Sequence, residues 1–258
     1  MITMGQSEFE KEYAMKVVSI IPSRYGSTRF NGKPLALISG KAMIQHVYES
    51  ACRATHMDRV VVATDDDRIY RSVEKFGGQA IMTSADHRSG TDRVAEAAQK
   101  LSLSLDDIII NVQGDQPLLD PRCLDEVVSP LISDHQLGMS TLAFRIVNPD
   151  EYTNSKDVKV VMDDQGNALY FSRASIPFGR DEGQQFDSYK HLGVYAYRRR
   201  FLEIFRNLPT GQLETIEKLE QLRALEYGHR VRVVVTSYDS PEVDLPSDIP
   251  RIENLIHN

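Results

Sequence analysis

The chain is predicted to form an α/β fold, a doubly wound, mainly parallel sheet of Rossmann-like type with a smaller mixed-sheet lobe inserted in it. Three observations carry this expectation. Short runs rich in Val and Ile alternate with amphipathic stretches of helical period through the first half, the pattern of βαβ units. Polar, turn-forming segments fall directly after those runs, where such sheets bind ligands. From about residue 138 onward the runs take on a hairpin character, which suits an inserted lobe.

Taken in order, residues 17–21 are apolar apart from Ser19 and read as the first strand, stopped by Pro22. Residues 42–54 carry Met43, Val47 and Ala51 at helical spacing, with Ile44 and Tyr48 beside them. A strand at 59–63 leads to a helix at 66–76, closed by Gly77 and Gly78. A strand at 79–82, a helix at 91–101 and an apolar strand at 108–112 follow. Beyond them, strands are expected at 139–146 and 158–162, with Asp163 to Gly166 turning into a strand at 168–171. A strand at 191–197, helical segments near 213–227, a strand at 231–236 and a helix after Pro246 complete the chain. The expected division is a core unit of 16–137 and 228–258, a lobe of 138–227, and an N-terminal extension, 1–15, without fixed order.

Of 258 residues, 41% are hydrophobic and 26% charged, which suits a packed core. A net charge of -7 supplies no overall basic field for a nucleic-acid backbone, though it leaves room for a basic cleft. Cys52 and Cys123 lack metal-ligand spacing and read as plain reduced thiols. The first dozen residues are polar and acidic, without the apolar run of a signal peptide, and no segment approaches the ~20 apolar residues of a membrane helix. A cytoplasmic enzyme is expected, with no nucleic-acid partner and no membrane insertion.

The loop after the first strand sets Arg24, Arg29 and Lys33 among Ser23, Ser27, Thr28, Gly26 and Gly32. Glycines let a backbone approach phosphate oxygens, and the three cations suit a polyphosphate. The Walker order and the dinucleotide Gly-x-Gly-x-x-Gly are both absent, so neither a P-loop nor a dehydrogenase is indicated. Asp115, in Gln113-Gly-Asp-Gln-Pro117, ends an apolar strand, where a carboxylate can hold a phosphate-bound magnesium ion; Gln113 can reach a base edge or ribose. The run Asp65-Asp66-Asp67 reads as a helix start, favoured by the dipole, rather than as a metal set.

These segments resemble the 3-deoxy-manno-octulosonate (Kdo) cytidylyltransferase family. That family shows a strand followed by Pro-x-Arg-x-x-Ser-x-Arg and Gly-Lys-Pro-Leu, here Pro22, Arg24, Ser27, Arg29, Gly32, Lys33, Pro34 and Leu35. It carries the Gln-Gly-Asp-x-Pro-Leu pattern around Asp115, and a Val-Asp-Thr-Pro-Glu-Asp-Leu segment matched by Val243-Asp-Leu-Pro-Ser-Asp-Ile249. Gln116 stands where the family usually has Glu, and Leu245 where it usually has Thr.

The resemblance runs from about Val17 to Ile256. It implies that Pro22, Ser23, Arg24, Ser27, Arg29, Lys33, Ser89, Gly90 and Gln113 surround CTP, with Arg93 close by, and that Asp115 and Asp244 hold Mg2+, two ions in all. An acidic sugar needs a cation for its carboxylate and polar groups for its hydroxyls. Arg173 can supply the first, while His191, Tyr195, Glu220 and Gln221, with Gln113, can supply the rest; His191, Gly193 and Tyr195 share one strand face. In the family's order these residues imply Kdo binding. The implied reaction is attack of the sugar's anomeric hydroxyl on the α-phosphorus of CTP, giving CMP-Kdo and pyrophosphate for lipopolysaccharide biosynthesis. Arg24, Lys33, Asp115 and Asp244 are the catalytic candidates, and a homodimer through the second lobe is implied. Lys190, where relatives often have Arg, with Tyr189 and Gln185 near it, leaves an amino-substituted or sialic-acid-like sugar open. A non-catalytic nucleotide or sugar-acid sensor is the alternative of another class.

Overall fold

The computed structural model describes residues 15–26, 29–87, 89–181 and 183–257. The expected disorder of the N-terminal extension, and the role given to Ser27, concern positions outside the described residues apart from Met15. The first half contains β1 (Val17–Ser23), β2 (Leu37–Ile38), β3 (Lys41–Ala42), α1 (Met43–Ala51), β4 (Arg59–Thr64), α2 (Asp67–Lys75), β5 (Ala80–Met82), α3 (Gly90–Lys100), β6 (Ile108–Asn111) and α4 (Pro121–Ser133). The second contains β7 (Met139–Arg145), α5 (Pro149–Thr153), β8 (Lys159–Met162), β9 (Ala168–Ser172), β10 (Tyr189–Arg198), α6 (Arg199–Asn207), α7 (Gln212–Glu217), α8 (Leu222–Glu226), β11 (Arg232–Thr236) and α9 (Ile249–His257).

Nine strands form one sheet, seven of them in the order β11-β7-β10-β6-β1-β4-β5 with β8 and β9 branching off β10. β1 pairs in parallel with β4 and β6, β4 with β5, and β7 with β11. β10 alone runs antiparallel within that order, between β6 and β7. Its residues 195–198 pair with β6, while Tyr189 and Lys190 pair with β8, which in turn pairs with β9. The sheet therefore forks along β10, and the fork opens beside the carboxyl end of β6. β7 and β10, read from the sequence as parts of the inserted lobe, lie in the same continuous sheet as the core strands.

The strands of the parallel part are buried on both faces, which is why they read as unbroken apolar runs. Val17 and Ile21 of β1 join Ile44, Val47, Ile69, Val73, Leu124 and Val127 on one side. Val18 and Ile20 join Val94, Ala95, Ala98, Phe201, Leu202 and Phe205 on the other. Helices thus cover both faces, as expected of a doubly wound sheet.

The structure departs from the sequence reading in several elements. β1 passes through Pro22 to Ser23, with Pro22 opposite Ala63; the pairing with β6 has ended at Ile20, so on that side the missing N–H breaks no ladder bond. Strands β2 and β3 and helices α4, α5 and α6 were not anticipated. The helical stretch near 213–227 is split in two by Lys218, whose φ of 57° is left-handed.

Candidate active site

The loop after β1 is shaped by Gly32. Its φ is 72°, and a Cβ there would lie 3.1 Å from the Tyr25 ring, so both backbone and space require glycine. The Gly32 N–H donates to the Tyr25 carbonyl at 2.9 Å, and the Arg68 guanidinium stacks on the other part of this motif, 3.2 Å from the Tyr25 ring centroid. The turn of Lys33, Pro34 and Leu35 follows and directs Lys33 across to β6. Lys33 Nζ donates to Asp115 Oδ2 at 2.6 Å and to the Val243 carbonyl at 3.0 Å, while the Val243 N–H donates to the Asp115 carbonyl at 3.0 Å. Three loops distant in sequence are thereby locked around one ammonium.

Arg29 reaches Asp244 at 3.0 Å. The Asp248 carboxylate caps the turn at Pro246 by accepting from the Asp244 and Leu245 N–H groups, so the Asp244 side chain is not used as a cap. With Arg29 64% exposed, its ion pair contributes at most about 1 kcal/mol and can be exchanged for a phosphate at little cost.

A cleft of about 340 Å³ is lined by Pro22, Ser23, Arg24, Arg29, Lys33, His87, Ser89, Gly90, Arg93, Gln113 and Asp115 among others. Every residue expected around the nucleotide lies there, apart from Ser27, which is outside the described residues. The Ser23 hydroxyl is buried with no hydrogen-bond partner among the described residues. Ser89 has a local duty as well: its hydroxyl accepts from the Asp92 N–H and caps α3. Arg93 is 4% exposed and is held by Thr83 and by Asp65 at 3.0 Å. Of the triple carboxylate, Asp66 caps α2 and Asp67 sits in its first turn, so the run serves the helix and Arg93.

A second cavity of about 540 Å³ shares Gln113 and Asp115 with the first and continues over the fork of the sheet. Arg173, His191, Tyr195, Glu220, Gln221 and Asp244 line it, together with Glu151, Lys190, Asp239, Ser240 and Glu242. All the predicted sugar-acid residues are thus brought together. Arg173 donates Nε to the Glu217 carbonyl at 2.8 Å and one Nη to the Ser155 carbonyl at 3.0 Å, which hold its guanidinium at the cavity wall. His191 Nε2 bonds with the Thr141 hydroxyl at 2.8 Å; enclosure by protein lowers its pKa to about 3, so it is neutral. Burial raises the Tyr195 phenol and the Glu220 carboxyl, the latter steadied by the Thr91 hydroxyl at 2.7 Å.

Sequence reasoning missed Glu242. Its side chain is exposed to the cleft, yet crowding by protein and the negative charge of Asp115 and Asp244 push its pKa up, against the pull of Gln116 and Lys33. Gln116 donates to it at 3.1 Å. The signal was its place two residues before Asp244, which in an extended segment puts both on one side. Among the described residues no three acidic, His or Cys side chains are set to hold a metal alone. The carboxylates at 115, 242 and 244 are nevertheless short of positive charge, and hard oxygens completed by phosphates and water are what Mg2+ takes; the donor set fits that ion.

A doubly wound sheet whose first loop sets Lys33 against Asp115 of the β6 turn and Arg29 against Asp244, at the mouth of one cleft, defines a nucleotidyltransferase. Comparison with known proteins narrows this. The cytidylyltransferase family pattern matches residues 18–232. The 3-deoxy-manno-octulosonate cytidylyltransferase of Desulfatibacillum aliphaticivorans is 65% identical over 242 residues, 94% of this chain and 99% of that protein. The 8-amino-3,8-dideoxy-manno-octulosonate cytidylyltransferase of Shewanella piezotolerans is 55% identical over 237 residues, 91% of this chain and 96% of its own. A solved CMP:2-keto-3-deoxy-manno-octonic acid synthetase complexed with CTP superposes with a TM-score of 0.89 at 42% identity, covering 94% of this chain and 98% of that one. The chain belongs to the 3-deoxy-manno-octulosonate cytidylyltransferase family.

Proposed function

We propose that this enzyme joins CMP, taken from CTP, to 3-deoxy-manno-octulosonate, releasing pyrophosphate. The observation that carries the reading is the joined cleft, a cationic half and a polyol-suited half meeting at Gln113 and Asp115. The anomeric hydroxyl oxygen forms a bond to the α-phosphorus and gives up its proton to water, the bond to the bridging oxygen breaks, and pyrophosphate leaves with that electron pair. Such transfer depends on positioning and charge neutralisation. Arg24, Arg29 and Lys33 bind the triphosphate and offset the charge growing on the leaving group. Gln113 lies where nucleotide and sugar meet, Arg173 binds the sugar carboxylate, and His191, Tyr195, Glu220 and Gln221 orient the hydroxyls. Asp115 and Asp244 would hold Mg2+, which supplies Lewis-acid activation of the attacking oxygen and of the phosphates when bound.

We place the nucleotide duty in 16–137 and 228–258 and the sugar duty in 138–227. A cytoplasmic homodimer fits the reading: no helix among the described residues is long and apolar enough to cross a membrane, and Val147 and Phe178, 74% and 83% exposed, with Phe186, offer apolar surface for a second copy. The test is pyrophosphate release by the purified protein with Mg2+, CTP or UTP, and 3-deoxy-manno-octulosonate or N-acetylneuraminate. Release with CTP and the first sugar is expected; none with either sugar would sink the assignment.

A further inference from the structure

The function proposed above assigns Asp115 and Asp244 to Mg2+, and among the described residues no third carboxylate is grouped with them to hold an ion. Glu242, two residues from Asp244, is therefore left without a duty, although it lines the sugar half of the cleft and is exposed to it. Its side chain has a fixed partner. Gln116, fully buried at the β6 turn, donates Nε2 to Glu242 Oε1 at 3.1 Å. A carboxylate offers about four acceptor positions, and this is the one side-chain hydrogen bond that Glu242 makes among the described residues.

Beside this pair lies Gly193. A Cβ there would come to 3.5 Å from Gln113 Cγ, 3.6 Å from Glu242 Oε1 and 3.8 Å from Gln116 Nε2, so three side chains border one point of open space. Those are ordinary contact distances, and the φ of Gly193 is not left-handed, so neither packing nor backbone requires glycine. A strand glycine without such a reason marks a place where a ligand approaches the backbone closely. Gln113 lines both halves of the cleft, which sets this space towards the junction of nucleotide and sugar.

We infer that Glu242, held by Gln116, is a further binding residue for the sugar acid, accepting a hydrogen bond from a ring hydroxyl in the space left by Gly193. This rests on the function proposed above. A carboxylate only accepts, a sugar hydroxyl has a hydrogen to give, and a bond to a charged group is among the stronger kinds. The ligand's own carboxylate is taken by Arg173. Gln116 is the positioning residue. The Glu usual at this place in the family would set a second carboxylate against Glu242, and repulsion would turn Glu242 away from Gly193.

The test measures kcat/KM for 3-deoxy-manno-octulosonate, with CTP and Mg2+, in the full chain and in Glu242→Ala, Gln116→Glu and the two combined. KM for CTP and the Mg2+ concentration giving half-maximal rate are measured alongside, and thermal unfolding and CTP binding report on each fold. Glu242→Ala is expected to lower kcat/KM for the sugar acid about tenfold, through KM, with the CTP and Mg2+ requirements unmoved. Gln116→Glu is expected to do the same alone, yet to add less than about twofold once Glu242 is gone, since the pair it disturbs no longer exists. A folded Glu242→Ala within about threefold of the wild type overturns the inference, as does a loss that falls on CTP or Mg2+ instead; additive losses overturn the role given to Gln116. Should Glu242→Ala fail to fold, Glu242→Gln, which keeps an acceptor for Gln116 and gives up the charge, carries the same test. No turnover by the wild type takes the proposed function down as well.

Discussion

Lys33 joins three loops through one ammonium, so its removal has both an electrostatic and a positional effect. In Lys33→Ala, kcat/KM for CTP is expected to fall about 100-fold or more, because leaving-group charge and the Asp115 carboxylate both lose their partner; steady-state pyrophosphate release at saturating sugar checks this. His191 makes a prediction about pH. The folded protein holds its imidazole neutral, with a pKa of about 3, while an unfolded chain takes up a proton near 6.5. A depressed histidine therefore costs stability as pH falls from 6.5 towards 3, and costs nothing above 6.5. His191→Gln should lessen the loss of thermal stability between pH 7 and 5, measured by calorimetry against the wild type; an unchanged pH slope would contradict the neutral assignment. Neither effect was readable from residue types alone, since a lysine beside glycine or a histidine on a strand has many possible surroundings.

At the scale of elements, the fork along β10 makes the sugar half of the site. Gly193 lies on its floor, where a Cβ would meet Gln113, Glu242 and Gln116 at 3.5 to 3.8 Å, ordinary contact distances. Gly193→Ala should thus fold, with a melting temperature near that of the wild type, yet lower kcat/KM for the sugar acid severalfold by narrowing the cleft beside Gln113. Helix α3 presents its capped end to the nucleotide half. Ser89→Ala removes the cap and is expected to cost about 1 kcal/mol, read as a drop of a few degrees in the melting temperature, with weaker CTP binding. The β1 loop and the β6 turn were legible because glycine, proline and charge fall together after an apolar run. α4 was not: Pro130 lies inside it and reads as a breaker, although Asp120 followed by Pro121 is the signature of a capped helix start. α6 was missed for want of a cap signal, its Phe201, Leu202 and Phe205 face showing only once packed.

For the molecule as a whole, one sheet carries both halves of the cleft, and the loops after β7 and before β10 expose Val147, Phe178 and Phe186. Phe178→Asp should convert a homodimer to monomer in light scattering while leaving the unfolding transition cooperative; a monomeric wild type would remove the proposal of a dimer. The line drawn from the sequence at residue 138 marks a change in strand pattern, from parallel runs buried on both faces to the alternating pattern of β10. Alternation reports which faces of a strand are wet, not which strand lies beside it. β10 alternates because one face floors a cleft, and it does so while lying in the middle of the sheet.

By itself the sequence determined the strand-and-helix order of the first half and the cationic loop, because glycine, charge and short-range period are local properties; the candidate residues of both substrates came from the resemblance of its motifs to a family. Only the tertiary structure decided that these residues form one joined cleft, that Lys33 and Arg29 rest on Asp115 and Asp244, and that Glu242, held by Gln116, belongs with them. Those pairings span 82 residues for Lys33 with Asp115 and 126 for Gln116 with Glu242, and partners so distant are brought together by sheet order and loop packing, which no local pattern encodes.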